Sequence, residues 1–505
     1  METGNGHRVL MIGLDSADYD YLEPRLSSLP SLRRLIGKGI VRRLDTPASV
    51  MSASVWPTFF TGSLPGDHGQ YFPIQWDPAK MELRHGGEWL NCEPFWRPLA
   101  REGLAVTTLD VQMAFPSRTQ HGIEVVNWGS NTLGPFHCNR PVVEREIERQ
   151  FGAHVLQPDI PVEKSPERFA AIRKGLLAGA KRRGDLCRWL LKRAPWDLAV
   201  VVFQECHRAG HYFWKGGAPG AAGASGASGD PDDEDAMLEA YRAVDREVGE
   251  IVAEAGRGET SVIVFSLLGM GENRAQMHLV PRVIDRINAR FLSRDGGVAP
   301  AQVRAPKRSL MGMLRDRLPA VVQERLALLV PASVRDWVVA HAYAGALDWP
   351  RTPGFALPTG GEGYIRVNLA GREAGGWIER GSAEHRRYLS DVEDGFRSLR
   401  RAGTDEPLVD EVTLLAERFP GPRSDYLPDL AISWRSGGPA TEVHSDRLGD
   451  FSGRLKTGRG GNHRGVAFAA VAGPAARSRQ AQSMTSIVDL AHFVRDLSID
   501  RSAPA

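Results

Sequence analysis

Residues 8–20 read RVLMIGLDSADYD, a compact apolar run that leads directly into Leu-Asp-Ser. An apolar run of this length is typical of a strand that is buried on both faces, and such strands lie at the centre of parallel sheets. The amphipathic stretch from Tyr19 to Lys38 and the return after Gly39 complete a strand–helix–strand unit. This region therefore predicts the beginning of a parallel α/β sheet.

Similar apolar runs recur along the chain and alternate with helical patterns. The runs cover 104–111, 196–203, 260–268, 429–434 and 465–473, and the helical patterns cover about 165–192, 235–255, 382–402 and 484–498. This alternation predicts a doubly wound, mostly parallel α/β sheet with helices on both faces. Ligands of such folds bind beyond the carboxyl ends of the strands, so site residues should follow the apolar runs.

Two segments interrupt this pattern. Residues 216–234 combine Gly, Ala, Ser and acidic residues, and this composition predicts a flexible surface loop. Residues 275–355 are rich in Arg and in helix-forming residues and predict an inserted helical cap, whose charges fit either a solvated helix face or a basic lid. We therefore predict a catalytic α/β domain over 1–274 and 356–505 that carries this helical insertion.

Charge and cysteine content narrow the classes of partner and compartment. The chain has 63 basic and 61 acidic side chains and a net charge of +2, which gives no electrostatic argument for a nucleic acid polymer or a membrane as partner. The four cysteines lack CxxC spacing, as expected for reduced thiols. Without a signal-like or membrane-spanning apolar segment, the sequence predicts a cytoplasmic protein and leaves its oligomeric state open.

Two groups of candidate catalytic residues come early in the chain. Asp15 ends the first predicted strand, where its carboxylate either faces the crevice or caps a turn. Ser52 and Ser54 precede an aromatic helical stretch, VWPTFFTG at 55–62. A hydroxyl group at the N-terminus of a helix either caps the helix or acts as a nucleophile that the helix dipole helps to ionise.

Three histidines predict a metal site. His207 and His211 follow a central apolar run and are four residues apart, so on a helix their side chains share one face. His463 lies in a glycine-rich segment just before another apolar run. Each of them also fits an ordinary polar role, but three imidazoles from two strand ends would make a catalytic zinc site with an open position.

These segments resemble the alkaline phosphatase superfamily, in particular its type I phosphodiesterase/nucleotide pyrophosphatase branch. The resemblance rests on motifs in a fixed order, among them VLMIGLDSADYD (9–20), SASVWPTFFTGSLPGDHG (52–69), DLAVVVFQECHRAGHYFW (197–214), SVIVFSLLGMG (261–271) and GGNHRGVAFAAVAG (460–473). It implies an alkaline-phosphatase-like fold and hydrolysis of a small-molecule phosphate ester. It also implies a Ser or Thr nucleophile between two metal ions, commonly zinc.

The resemblance assigns roles to residues around the nucleophile. Ser52 matches the family's nucleophile because it lies nine residues before Thr61, which is the family's separation between the nucleophile and its TG pair. Ser54 is the nearby alternative. The Asn that usually binds phosphate has no match, so Gln75 or Gln70 is the candidate substrate-binding residue.

The resemblance also assigns the metal ligands. Asp15 matches the first-strand aspartate that binds the metal on the nucleophile side. His211 and His463 match two histidines of the other metal ion, and His207 stands where that site usually has an Asp. This exchange keeps three protein ligands and removes one negative charge.

The chain departs from the family at Leu267 and Leu268, where SLLGMG replaces SDHGMG. The family's Asp and His complete the nucleophile-side metal site, and leucine has no ligand atom. Asp15 and Ser52 alone are too few for a stable divalent site. The candidate substitute ligands are Glu205, Glu272 and Asn273. We therefore expect one zinc ion, with the second divalent ion in question.

The sequence thus predicts a metal-dependent phosphodiesterase that forms a covalent phospho-enzyme through Ser52. Two alternatives stay open. One is a catalytically degenerate family member that binds a ligand or partner in the same crevice. The other is a one-metal phosphoryl- or sulfuryl-group transferase of a biosynthetic pathway.

Overall fold

The computed structural model describes residues 8–115, 121–130, 134–156, 164–214, 233–256, 260–294, 347–455 and 457–499. The loop predicted at 216–234 lies outside the described residues, apart from its last two positions. Most of the cap predicted at 275–355 lies outside them as well.

The strands of the described residues are numbered in chain order. They are β1 (Arg8–Leu14), β2 (Ile40–Leu44), β3 (Ile74–Asp77), β4 (Glu82–His85), β5 (Val106–Leu109), β6 (Ile123–Val126), β7 (His137–Cys138), β8 (Leu198–Phe203), β9 (Thr260–Ser266), β10 (Gly269–Glu272), β11 (Gly354–Leu357), β12 (Gly363–Val367), β13 (Arg400–Arg401), β14 (Val409–Leu414), β15 (Leu430–Trp434), β16 (Glu442–His444), β17 (Phe451–Ser452), β18 (Gly461–Arg464) and β19 (Ala467–Ala472).

The helices are numbered in the same way. They are α1 (Tyr19–Leu22), α2 (Pro30–Lys38), α3 (Val55–Thr61), α4 (Pro65–His68), α5 (Trp96–Arg101), α6 (Pro141–Phe151), α7 (Pro166–Arg193), α8 (Glu205–Phe213), α9 (Asp233–Ala255), α10 (Val280–Arg294), α11 (Ala383–Arg397), α12 (Leu415–Arg418), α13 (Arg479–Ser483) and α14 (Ile487–Ile499). None of the described helices combines the length and the apolar character needed to cross a membrane.

The described residues form a central eight-stranded sheet in the order β2-β19-β9-β1-β8-β5-β6-β7. Strands β9, β1, β8, β5 and β6 are parallel to their neighbours within this group. Strands β19 and β7 run antiparallel to the strands that they contact. The predicted mostly parallel sheet is therefore confirmed, although the run at 465–473 supplies an antiparallel strand to it.

Helices cover both faces of this sheet. Along β1, Leu10, Ile12 and Leu14 pack into one hydrophobic core, whereas Val9 and Met11 pack into the other. The first core includes side chains of α2, α7, α8 and α9, and the second includes side chains of α3, α5 and α14. Because a strand alternates its side chains between two faces, burial on both sides explains the continuous apolar runs.

One apolar run lies outside the central sheet, so its prediction as a central parallel strand was wrong. The run at 429–434 forms β15 in a second sheet of order β11-β12-β15-β14, in which every pairing is antiparallel. Helices α10 and α11 pack on this sheet around a separate core. An apolar run indicates that a strand is buried on both faces, but it does not indicate the direction of the strand. In β15, helices α10 and α11 cover one face and the aromatic residues near Trp76 cover the other.

Helix α10 is the described N-terminal flank of the predicted insertion. Its apolar residues Val283, Ile284 and Ile287 belong to the same core as Ile365 and Ile432 of the antiparallel sheet. This flank is therefore a packed core helix. The boundaries of a separate cap domain stay a prediction.

The stretch from Tyr19 to Lys38 forms two helices, α1 and α2, that are separated by a 3-10 turn at Glu23–Ser28. Pro24 and Pro30 each lie at the N-terminal end of the segment that follows. Proline fits there because the first residues of a helix have no intrahelical acceptor for an N–H group. The chain still makes the predicted return to the sheet at β2.

A buried ionic network holds α8 against α7. The side chains of Arg183, Asp110 and Glu205 are fully buried. Arg183 Nε lies 3.3 Å from each carboxylate oxygen of Glu205, and its Nη1 donates to Asp110. Burial raises the pKa of the Glu205 carboxyl, but Arg183, His154 and a main-chain hydrogen bond together outweigh this effect and lower that pKa to about 2. The buried carboxylate of Glu205 thus depends on Arg183 and on His154, which lies 3.5 Å away.

Replacing Arg183 should destabilise the protein strongly. In an Arg183→Met variant the carboxylates of Asp110 and Glu205 would stay buried without a cation, which costs about 3–5 kcal/mol. Urea unfolding would report the loss as a lower midpoint at an unchanged slope.

The matched control is Arg193→Met in the same helix, because Arg193 pairs with Glu146 at the surface. Loss of that exposed pair should cost less than about 1 kcal/mol. Equal losses in the two variants would contradict a special role of the buried network.

Candidate active site

The three predicted histidines meet beyond the carboxyl end of β8. Helix α8 follows β8 directly and carries His207 and His211 on one face, and β18 brings His463 to them. The ring centroids are 4.6 to 4.9 Å apart. One nitrogen from each ring lies within 4.8 Å of those of the other two, which is a spacing that one metal ion can bridge.

Two glycines allow α8 to approach the paired strands β10 and β18 this closely. A Cβ atom on Gly461 would lie 2.2 Å from the carbonyl oxygen of Gly210, and a Cβ atom on Gly210 would lie 2.5 Å from Met270 Cγ. Across the contact, the Gly460 N–H group donates to the His211 carbonyl at 2.8 Å. The His211 ring therefore reaches β18 because no side chain separates the two backbones.

Hydrogen bonds orient two of the imidazoles. His211 Nδ1 lies 2.9 Å from the Gly461 carbonyl oxygen, and a carbonyl only accepts, so the proton is on Nδ1 and the lone pair is on Nε2. His207 Nδ1 lies 2.6 Å from Asp15 Oδ2 and 3.1 Å from the Ser16 hydroxyl oxygen, and these contacts hold the ring by that nitrogen. A second group that holds the distal nitrogen of the ring is the usual arrangement of metal-binding histidines.

The nitrogens that face the centre of the cluster lack partners. Within the described part of the chain, His211 Nε2 and both ring nitrogens of His463 are buried without a hydrogen bond. Burial lowers the pKa of His211 and of His463 well below the usual range, and Arg459 and the ring of His207 lower both further. Neutral imidazoles with free lone pairs are the form that binds metal ions.

Asp15 lies behind His207 in the site. Its Oδ2 contacts His207 and accepts a hydrogen bond from the Gln112 amide, and its Oδ1 accepts from the Trp56 indole N–H at 3.2 Å. These contacts make Asp15 an orienting carboxylate for His207, and its role as a direct metal ligand stays a prediction. Sequence reasoning missed Trp56 and Gln112, because neither residue type signals a partner for a carboxylate.

Leu267 and Leu268 pack into the core below the site. Their side chains are buried in the cluster that also contains Phe59 and Phe265. Their carbonyl oxygens accept hydrogen bonds from neighbouring hydroxyl groups, and the Thr46 hydroxyl donates to Leu267 at 2.7 Å. Where the family has two metal ligands, this chain therefore has two side chains that belong to the hydrophobic core.

The three candidate substitute ligands are engaged elsewhere. Glu205 is neutralised by Arg183 in the buried network. The Asn273 amide donates to the Arg459 carbonyl at 2.9 Å, and Glu272 accepts from a main-chain N–H group at 3.2 Å. Among the described residues, the three histidines form the sole cluster with metal-binding geometry.

The segment with the predicted nucleophile begins as a 3-10 turn at Ser52–Ser54 and continues into α3. The buried Ser54 hydroxyl donates to the Gln70 carbonyl at 2.8 Å, and this hydrogen bond stabilises the local fold. The Ser52 hydroxyl has no hydrogen bond to any described residue, while its main-chain N–H donates to Glu362 Oε1 at 2.9 Å. Trp56 then ties the segment to Asp15.

The side chain of Gln75 forms its hydrogen bonds with a nearby turn and not with the histidines. Its side chain is fully buried, its Nε2 donates to the Gly69 carbonyl at 3.0 Å, and its Oε1 accepts from the Tyr71 N–H at 3.1 Å. Both ends of the amide thus stabilise the turn between α4 and β3. The role of Gln75 in substrate binding stays a prediction that these contacts do not favour.

A cleft of about 170 Å³ opens beside His463, between the β10–β18 ladder and the antiparallel sheet. Its charged and aromatic lining includes Glu272, Arg274, Glu362, Glu411, Trp434 and Arg464. Arg464 is already paired with Asp18 and Asp20. The cleft therefore lies next to the histidine cluster and includes the carboxylate that accepts the Ser52 N–H.

Comparison with known proteins identifies the family to which the chain belongs. No curated protein sequence matches the chain significantly. A structure of phosphonoacetate hydrolase from Sinorhizobium meliloti 1021 with phosphonoformate is similar at 14% identity and a TM-score of 0.49, covering 97% of this chain and 96% of that one. A murine ectonucleotide pyrophosphatase/phosphodiesterase 5, as an inactive variant with AMP, is similar at 12% identity and a TM-score of 0.48, covering 98% and 95%.

The family model described as type I phosphodiesterase / nucleotide pyrophosphatase matches residues 9–364, more than half of the 505-residue chain. The matched range includes β1 with Asp15, the Ser52 segment and α8 with its two histidines. The resemblance inferred from the motifs is thereby confirmed. The chain belongs to the type I phosphodiesterase / nucleotide pyrophosphatase family of the alkaline phosphatase superfamily, whose members are phosphoric ester hydrolases.

Proposed function

We propose that this phosphoric ester hydrolase is a phosphodiesterase that holds one zinc ion through His207, His211 and His463 and uses Ser52 as its nucleophile. The observation that carries the proposal is the convergence of three imidazoles, of which His211 and His463 present buried nitrogens without partners. When bound, zinc supplies a Lewis acid that polarises a phosphoryl oxygen or a water molecule.

The residues around the zinc site have distinct roles in this proposal. Asp15 holds His207 by its Nδ1 atom and keeps Nε2 directed at the ion. The Gly461 carbonyl does the same for His211. The buried leucines at 267 and 268 offer no ligand atoms, and they support a count of one ion instead of two.

Ser52 carries the covalent step. Its Oγ forms a bond to phosphorus as the bond from phosphorus to the leaving alcohol breaks, and water then releases the phosphate monoester and restores the hydroxyl group. The free hydroxyl of Ser52 supports this choice over Ser54, whose hydroxyl is bonded to Gln70. The tie from Trp56 to Asp15 links the nucleophile segment to the imidazole cluster.

The same leucines favour a second candidate function. A family member without a complete nucleophile-side site could bind a phosphate ester in the cleft without hydrolysing it. Bound zinc without turnover of any diester would support this binding protein over the hydrolase. Transfer of the phosphoryl group to an added alcohol would support the one-metal transferase.

Elemental analysis tests the metal site. We expect about one zinc ion per chain in the purified protein and almost none in a His211→Ala variant, because two remaining imidazoles are too few to hold the ion. The control is His444→Ala, since His444 is exposed and outside the cluster. Absence of metal from the wild-type protein would contradict the proposal.

Gly461→Ala tests the close approach of α8 and β18. The added Cβ would meet the backbone of Gly210, so we expect lower zinc content together with a loss of stability. Gly37→Ala is the matched control, because nothing lies within 4 Å of its Cβ position and the residue is in helix α2. That change should leave the zinc content unchanged and raise stability by up to about 1 kcal/mol.

Paired serine variants test the nucleophile with bis(p-nitrophenyl) phosphate as substrate. Ser52→Ala should lower kcat by at least about a thousandfold, because the proposed attacking oxygen is lost. Ser54→Ala removes one buried hydrogen bond and should cost about 1 kcal/mol of stability while most activity remains. Full activity of Ser52→Ala would move the nucleophile to another residue.

A further inference from the structure

A carboxylate lies directly against the proposed nucleophile. Glu362, which precedes β12, accepts the main-chain N–H of Ser52 at 2.9 Å, although the two residues are 310 positions apart in the chain. The N and Oγ atoms of one serine are about 3–4 Å apart, depending on the rotamer. The Glu362 oxygen therefore lies within about 7 Å of the Ser52 hydroxyl oxygen.

No described Lys or Arg side chain forms an ion pair with Glu362. Its second oxygen lies 3.4 Å from the Thr359 hydroxyl, so its contacts are to neutral donors. It is 9% exposed and lines the cleft beside His463. Two arginines line the same cleft: Arg464 is already paired with other carboxylates, and Arg274 forms no described ion pair with Glu362.

The position of this charge bears on the kind of phosphate that can approach Ser52. A phosphodiester carries one negative charge, whereas a monoester carries nearly two at pH 7, because its second pKa is about 6. An attacked phosphorus lies roughly 3–3.5 Å from the nucleophile. In a partly buried cleft, repulsion between Glu362 and the extra charge of a monoester is screened little by solvent.

We propose that Glu362 is a specificity-determining residue that makes the site reject dianionic phosphate monoesters in favour of monoanionic diesters. This inference rests on the proposed function, because it needs Ser52 to be the attacking group. It assigns the preference to the charge of one side chain and not to the size of the cleft.

Two substrates with one leaving group test this assignment. The readout is the ratio of kcat/KM for methyl p-nitrophenyl phosphate, a diester, to kcat/KM for p-nitrophenyl phosphate, a monoester, at pH 8. In Glu362→Gln this ratio should fall at least about tenfold, mainly through faster monoester hydrolysis, because the amide keeps the shape and removes the charge. Glu362→Asp keeps the charge and should keep the ratio within about threefold of the wild-type value.

Controls separate charge from folding. Glu417→Gln removes an exposed carboxylate outside the cleft and should leave the ratio unchanged. If Glu362→Gln does not fold, Glu362→Ala removes the same charge and replaces it in the comparison with Glu362→Asp. Zinc content and thermal unfolding of each variant establish that the site is intact.

The outcomes distinguish this inference from the proposed function. A Ser52-dependent diesterase whose ratio is the same in the charge-removing variants and in the wild type overturns the role of Glu362 alone. A wild-type protein that hydrolyses neither substrate overturns the proposed function, and this inference with it.

Discussion

The contact between Gly210 of α8 and Gly461 of β18 is the constraint on which the site depends. A side chain at Gly461 would meet the Gly210 carbonyl, so glycine lets the helix after a central parallel strand approach a strand from the far end of the chain at this distance. The contact joins His211 to the Gly461 carbonyl and places His463 over the same space. The imidazole cluster thus depends on the close approach of the two backbones.

Much of the central fold could be predicted because its cause is local. A strand covered on both faces needs apolar residues at every position, so the runs that became β1, β8 and β9 are visible in the sequence. The placement of His207 and His211 followed from the same rule, since they come after β8, whereas His463 precedes the run that became β19. The direction of β15 could not be predicted, because burial on both faces does not depend on whether the neighbouring strand is parallel.

The roles of individual polar side chains were harder to predict, for a physical reason. Asp15 at a strand end fits a metal ligand and an orienting carboxylate equally well, and the sequence does not show that its Oδ2 lies 2.6 Å from His207 Nδ1. Glu362 reaches Ser52 from a different sheet, so no spacing in the chain relates the two residues. Arg183 in a helical pattern looks like a solvated charge until Asp110 and Glu205 are found beside it.

The departures from the family pattern are connected through charge. Leucines at 267 and 268 remove ligands of one metal ion, and His207 replaces a carboxylate with an imidazole. One divalent ion on the three imidazoles would bring two positive charges, and the carboxylates of Asp15 and Glu362 lie near the histidines and Ser52. A site with one ion in place of two would have little excess positive charge for a dianion. The proposed single ion and the carboxylate at Ser52 therefore point in the same direction, towards a substrate with a single negative charge on phosphorus.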